Sequence, residues 1–281
     1  MSAPNPALLK ERNMAAPAEL TLLTDQVAPG DGVPRFAILG VKVAALQIPQ
    51  VIDWMEQVIR NSSFCQYICV TGMHGVTEAQ FDARLKTILN EAGLVVADGT
   101  PLVWAGRANG FPMKRRVYGP ELMEEFCRET AGQYRHYFYG GAPGVPERLA
   151  EVLQNRHGIQ VAGCWSPPFR QLTEQEEAEL KQKVEACKPD ILWVGLSTPK
   201  QERWMRTHAD QLDVPLMVGV GAAFDFHTGR VQQAPLWMRE NGLEWLFRLL
   251  QEPHRLWKRY LVFGPQFVGM VLLEILGLKK Y

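Results

Sequence analysis

The chain predicts an α/β fold, a Rossmann-like and mainly parallel sheet with helices on both faces, extended at its C-terminal end by helices that would dock on a membrane. Three features carry that expectation. Short β-branched or aromatic runs alternate with helical patterns from Phe36 onward, which is the signature of repeated strand–helix units. The strand-like runs end in loops rich in Gly, Ser, Thr and Asp, where ligands of parallel sheets bind. After Ala234-Pro235 the strand signal stops and only helical segments follow.

The units follow in order. "QYICVTG" precedes the helical "TEAQFDARLKTILNEAG", for which Thr77 is read as the cap with Glu78 in the first turn. "LVVADG" leads into "TPLVWAGRANG", where Pro101 suits a first helical turn. "RHYFYGG" precedes "VPERLAEVLQNRHG", and "IQVAGCW" precedes "TEQEEAELKQKVEACK", in which Thr173 and Glu176 have capping-box spacing. "DILWVGL" runs into "PKQERWMRTHADQL", and "PLMVGVGAAF" is the last strand pattern. The helical stretch beyond is expected to break at Pro253 and again at Gly264-Pro265. Residues 1–34, rich in Pro and Ala without a sustained period, read as a disordered lead, residues 35–235 as the α/β core, and residues 236–281 as a helical appendage.

Composition narrows the function. Thirty basic and thirty acidic residues balance, which argues against a nucleic-acid binder. The five cysteines form no C-x-x-C pair, so neither a disulfide framework nor a zinc site is suggested and a reducing cytoplasm fits. The N-terminal stretch lacks the apolar core of a signal peptide. The apolar run from Phe267 to Leu278 is interrupted by Glu274 and falls short of the ~20 residues of a spanning helix, so it is expected to lie on a membrane rather than cross one.

Four strand-end loops collect the candidate residues. Asp98 closes an apolar strand, where a carboxylate serves either as a turn residue or as a general base. Gly140, Gly141 and Gly144 let backbone amides approach an anion at a helix N-terminus. "LSTPKQE" offers Ser197, Thr198, Lys200, Gln201 and Glu202, either as Ser or Thr caps with solvated Lys, Gln and Glu or as partners for sugar hydroxyls. Gly219, Gly221 and Asp225 follow the last strand, but Phe224 stands where a dinucleotide fingerprint needs its third glycine. His74 is a lone imidazole at a strand end, a candidate base or a packed residue. The chain has no Asp-x-Asp pair, no H-E-x-x-H and no G-x-S-x-G, so no metal site and no cofactor is expected.

Taken together, "DGTPLVWAGR", "RRVYGPELM", "GGAPGV", "VGLSTPKQERW", "GVGAAFDFHTG" and "QAPLWMRENGLEWLFRLLQEPHRLWKRYL" resemble the WecG/TagA/CpsF family of bacterial glycosyltransferases, glycosyltransferase family 26, from about Phe36 to Phe267. The resemblance implies transfer of a sugar, often of the N-acetylmannosamine type, from a UDP donor to an undecaprenyl-diphosphate-linked sugar at the inner face of the cytoplasmic membrane. It also implies Asp98 as base, Thr71 and Gln201 as pocket-lining residues, and Arg255 and Arg259 as appendage arginines closing over the donor diphosphate. Two positions depart from the family pattern. Thr71-Gly72-Met73 and then His74 stand where Thr-x-Asn is common, and Gln233-Ala234-Pro235 stands where Arg-Ala-Pro is common.

The expected activity is therefore an inverting, metal-independent glycosyl transfer by a peripheral, cytoplasmic enzyme on an anionic membrane surface. Among its tail residues Trp245, Trp257, Tyr260 and Phe263 lie between cations, as a lipid-interface face requires. The rival expectation is a membrane-docked nucleotide-sugar-binding scaffold without turnover, which the two departures motivate. Donor sugar, acceptor sugar and homo-oligomerisation stay open.

Overall fold

A computed structural model describes residues 32–281, and the part of the N-terminal lead up to residue 31 lies outside the described residues. The chain opens with a hairpin of β1 (Arg35–Ile38) and β2 (Val41–Ala44), followed by α1 (Ile48–Asn61), β3 (Gln66–Thr71), α2 (Met73–Glu78), α3 (Ala83–Glu91) and β4 (Leu94–Ala97). Two helices follow, α4 (Thr100–Ala108) and α5 (Gly119–Glu129), then β5 (Arg135–Gly140), α6 (Val145–His157), β6 (Gln160–Trp165) and α7 (Glu174–Cys187). The sheet is completed by β7 (Ile191–Gly195), α8 (Lys200–His208) and β8 (Leu216–Gly219). From there the chain is helical: α9 (Ala223–His227), α10 (Leu236–Glu240), α11 (Glu244–Gln251), α12 (Pro253–Trp257), a π-helical turn (Lys258–Val262) and α13 (Phe263–Ile275).

The strands lie in the order β1-β2-β4-β3-β8-β7-β5-β6, and every pair is parallel except the opening hairpin. The mainly parallel α/β sheet expected from the alternation is thus present. Its strands are apolar throughout because both faces are covered. Ile68 and Val70 pack with α1, α5, α6 and α9 on one face, while Tyr67 and Cys69 pack with α2, α3, α4, α7 and α8 on the other.

The chain leaves β3 for one face and the neighbouring β8 for the other, so a cleft opens between their C-terminal ends. Arg116 to Gly119 run along that edge, fixed by the Val117 amide donating to the Ala97 carbonyl at 2.8 Å.

Local expectations hold in part. The capping box at Thr173 forms, with the Thr173 amide donating to Glu176 Oε2 at 2.8 Å. Thr77 does not cap the helix assigned to it. It sits inside α2 and its hydroxyl turns back to the Met73 carbonyl at 2.9 Å. Asp82 instead caps α3, accepting from the Leu85 amide at 3.0 Å, because a carboxylate with free backbone geometry outcompetes a threonine already inside a turn. Pro253 starts a new helix as expected, but Gly264-Pro265 does not break the tail. Pro265 falls in the first turn of α13, where the preceding π turn leaves its missing amide and its ring unopposed.

The tail folds back on the core. Helix α13 lies across α2, with Gly264 against Met73, Phe267 5% exposed, and Glu274 accepting from the Leu39 amide at 3.2 Å.

Gly140 illustrates how tightly the strands close. Its φ is +124°, and a Cβ there would meet the Gly195 carbonyl oxygen at 2.6 Å on the neighbouring strand. Gly140→Ala should lower the urea midpoint, the backbone conformation alone costing about 1–3 kcal/mol. A variant as stable as the parent would show that the two strands separate freely.

Candidate active site

Asp98 follows β4 directly, and its amide donates to the Thr71 carbonyl at 2.9 Å, so the β3–β4 pairing carries the carboxylate to the cleft. Burial pushes its pKa up to about 6, nearby Glu244 pushes the same way, and Arg116, Arg248 and Arg259 oppose the rise. Its Oδ1 has no hydrogen-bond partner and lies 3.7 Å from Arg116 Nη1. Such a carboxylate is a stronger base than an exposed one yet is mostly ionised at neutral pH.

Thr71 is 1% exposed and its Oγ1 is buried without a hydrogen-bond partner. Across the cleft, Gln201 is held at both ends of its amide. Its oxygen accepts from the Gly221 amide at 3.1 Å, and its nitrogen donates to Glu202 Oε1 at 3.1 Å. Glu202, fully buried, also accepts from the Thr198 hydroxyl at 2.8 Å, and its Oε2 is unpartnered. Burial raises its pKa. Three buried oxygens around the cleft therefore lack donors, a demand that a polyhydroxylated ligand meets.

Cations come from the tail. Arg259 contacts His74 Nε2, and Arg248 stacks over Phe226 with its guanidinium carbon 5.2 Å from the ring centre. Burial first, then Arg259 and Arg248, holds the His74 pKa well below the ordinary histidine range. The ring is neutral at physiological pH and accepts from the arginine.

Asp98, Thr71, His74, Gln201 and Arg259 are thus brought to one edge. Lys200 is exposed at the start of α8. Asp225 on α9 is 3.7 Å from Arg230. Gly140 and Gly141 sit at the end of β5, two strands from β8, and Gly140 is shaped by its neighbour strand. Arg255 is about half-exposed and paired with Glu252 at 2.7 Å, while Arg248 occupies the more enclosed position.

Sequence reasoning missed Arg116, Tyr118, Glu244 and Arg248. Arg116 pairs with Glu244 through Nη2, the Tyr118 hydroxyl donates to Glu244 Oε1 at 2.7 Å, and the guanidinium stacks 4.2 Å from the Tyr118 ring centre. One signal was present: Glu244 is a lone acid among Leu, Trp and Phe, and it is 5% exposed.

The C-terminal edge of a parallel α/β sheet thus sets a shielded carboxylate among donor-seeking oxygens and arginines, a cleft suited to a polar, anionic ligand. The chain belongs to the Glycosyl transferase WecG/TagA/CpsF family, whose sequence model matches residues 36–281. It is 29% identical over 225 residues to the N-acetylglucosaminyldiphosphoundecaprenol N-acetyl-beta-D-mannosaminyltransferase of Staphylococcus aureus strain MRSA252, covering 79% of this chain and 85% of the relative. The enzymes of the same name from strains MW2 and NCTC 8325 / PS 47 match with the same identity and coverage. The expected family and its glycosyltransferase activity are thereby established.

Because the folded pKa of Asp98 is raised, folding favours its protonated form. That contribution is complete below the unfolded value and is lost as pH rises through about 6. Asp98→Asn should therefore raise the melting temperature at about pH 8, by about 2–4 °C for each kcal/mol regained, and the gain should vanish near pH 4. A melting temperature that falls at pH 8 would mean that the ionised carboxylate is satisfied in place.

Proposed function

We propose that the protein transfers a sugar of the N-acetylmannosamine type from its UDP ester to a saccharide on undecaprenyl diphosphate, with inversion and without a metal ion. The observation carrying this reading is Asp98, a partly shielded carboxylate with a free oxygen and a pKa near 6, set beside arginines of the tail. The relatives, named for mannosaminyl transfer to N-acetylglucosaminyl-diphosphoundecaprenol, support the donor and acceptor classes.

In this reading the acceptor hydroxyl attacks the anomeric carbon as Asp98 takes its proton, and the carbon–oxygen bond to UDP breaks on the opposite face. Thr71 and Gln201 orient the sugars, with His74 seating Arg259. Arg248 and Arg259 stabilise the departing diphosphate, the charge work that a divalent ion does elsewhere. Arg248 answers the second departure noted in the sequence, since Gln233 stands where the family commonly has an arginine. Lys200, Gly140, Gly141, Asp225 and Arg255 would line the outer donor site.

The tail supports a peripheral membrane role. No helix among the described residues is long and apolar enough to cross a membrane, yet Trp237, Leu250, Trp257, Leu261, Leu272 and Leu276 are 44–74% open to solvent. Tyr260 instead packs on Trp245, ring centres 5.9 Å apart, so the lipid-facing set is more aliphatic than the aromatic spacing predicts.

Two measurements check the reading. With UDP-N-acetylmannosamine, a polyprenyl-diphosphate N-acetylglucosamine acceptor and chelator in the buffer, the parent should release UDP while Asp98→Asn loses about 10²–10⁴-fold in turnover and keeps UDP affinity. Metal-reversible loss in the parent, or normal turnover by the variant, would overturn it. For the surface, Leu261→Glu with Leu272→Glu should abolish cosedimentation with phosphatidylglycerol vesicles at unchanged melting temperature, and continued binding would place the membrane contact elsewhere.

A further inference from the structure

Asp98 and Glu244 compete for one guanidinium. Arg116 sends Nη2 to Glu244, while its Nη1 stays 3.7 Å from Asp98, beyond hydrogen-bond length. Glu244 holds its prize from two sides, since Tyr118 donates to its other oxygen and stacks under the arginine. Glu244 belongs to the tail helix α11, whereas Asp98, Arg116 and Tyr118 belong to the core. An arginine fully engaged with a carboxylate lowers its pKa by about 1–3 units.

We propose that Glu244 is a positioning residue for the transfer reaction: by drawing Arg116 away from Asp98, the docked tail keeps the catalytic carboxylate basic. The inference rests on Asp98 being the base. With the tail undocked, Arg116 is free to turn to Asp98, and the carboxylate becomes a weaker base. Activity would then depend on the docked tail through two separate contributions, the arginines that meet the diphosphate and the glutamate that frees the base. The groups facing Asp98 are Arg116 and Tyr118 from the strand-end segment, Glu244 and Arg248 from α11, and Arg259 and Tyr260 from the π turn, with His74 of α2 behind Arg259. Of these, Glu244 is the one carboxylate, and removing it shifts the balance in one direction.

The sign is distinctive. Turnover needs ionised Asp98, so kcat/KM rises with pH through the pKa of that group. Glu244→Gln removes a negative neighbour and releases Arg116, and both changes lower that pKa. The acid limb of the full-length variant should move to lower pH by about one unit or more, with a lower plateau, whereas a merely structural defect lowers activity and leaves the limb in place. Tyr118→Phe leaves Glu244 with Arg116 as its sole partner, and its limb should stay at or above the parent's. Carboxyl carbon NMR, with Asp98→Asn identifying the resonance, reads the same shift without turnover. A limb and resonance unmoved or raised in Glu244→Gln overturn the proposal. If that variant does not fold, Tyr118→Phe decides, and a downward shift there overturns it. Absent transfer by the parent would fault the assigned reaction, while the NMR titration would still decide the role of Glu244.

Discussion

Everything at the site depends on the junction of β3 with β8. Parallel pairing brings the two strand ends level, and the chain then departs to opposite faces, leaving backbone and side-chain groups at the edge with no covering helix. Thr71 sits at one lip of this gap and Gly221 near the other, with Gln201 bridging from α8. Pairing of β4 with β3 adds Asp98 one strand away. No single loop could hold these groups with the same rigidity, because each is fixed within two residues of a strand or by a backbone hydrogen bond.

The charges of the cleft are arranged so that none is both buried and alone. Arg116 stands between Asp98 and Glu244, Glu202 accepts two hydrogen bonds on one oxygen, and Arg259 rests on a neutral imidazole. Each group nevertheless keeps some capacity unused, at Asp98 Oδ1, Glu202 Oε2 and Thr71 Oγ1. Unmet hydrogen bonding in a folded core costs free energy, so it persists where a ligand completes it.

The strands were legible because a sheet covered on both faces leaves unbroken apolar runs such as "QYICV" and "ILWVG". Asp98 and Gln201 were legible for a related reason, since each lies where such a run stops or the next helix starts, whereas Thr71 was singled out only through the family resemblance. The break between α2 and α3 was not, because two cap candidates, Thr77 and Asp82, compete within one helical pattern and backbone geometry decides between them. Arg116 and Glu244 lie 128 residues apart, and no local pattern joins them. Arg248 was passed over for the same reason, because helical spacing does not say which of two arginines sharing Glu252 is enclosed and which stays half-exposed.

The bond between Leu39 and Glu274 spans 235 residues. During synthesis the first hairpin therefore waits for its partner while the ribosome makes the rest, roughly 10–50 s at about 5–20 residues per second. Glu244, Arg248 and Arg259 arrive in the same late segment. The nascent sheet already carries Asp98 and Arg116 but has neither the arginines nor the glutamate that surround them in the finished fold. Translation order thus completes the cleft with the same segment that brings the exposed apolar residues of α13.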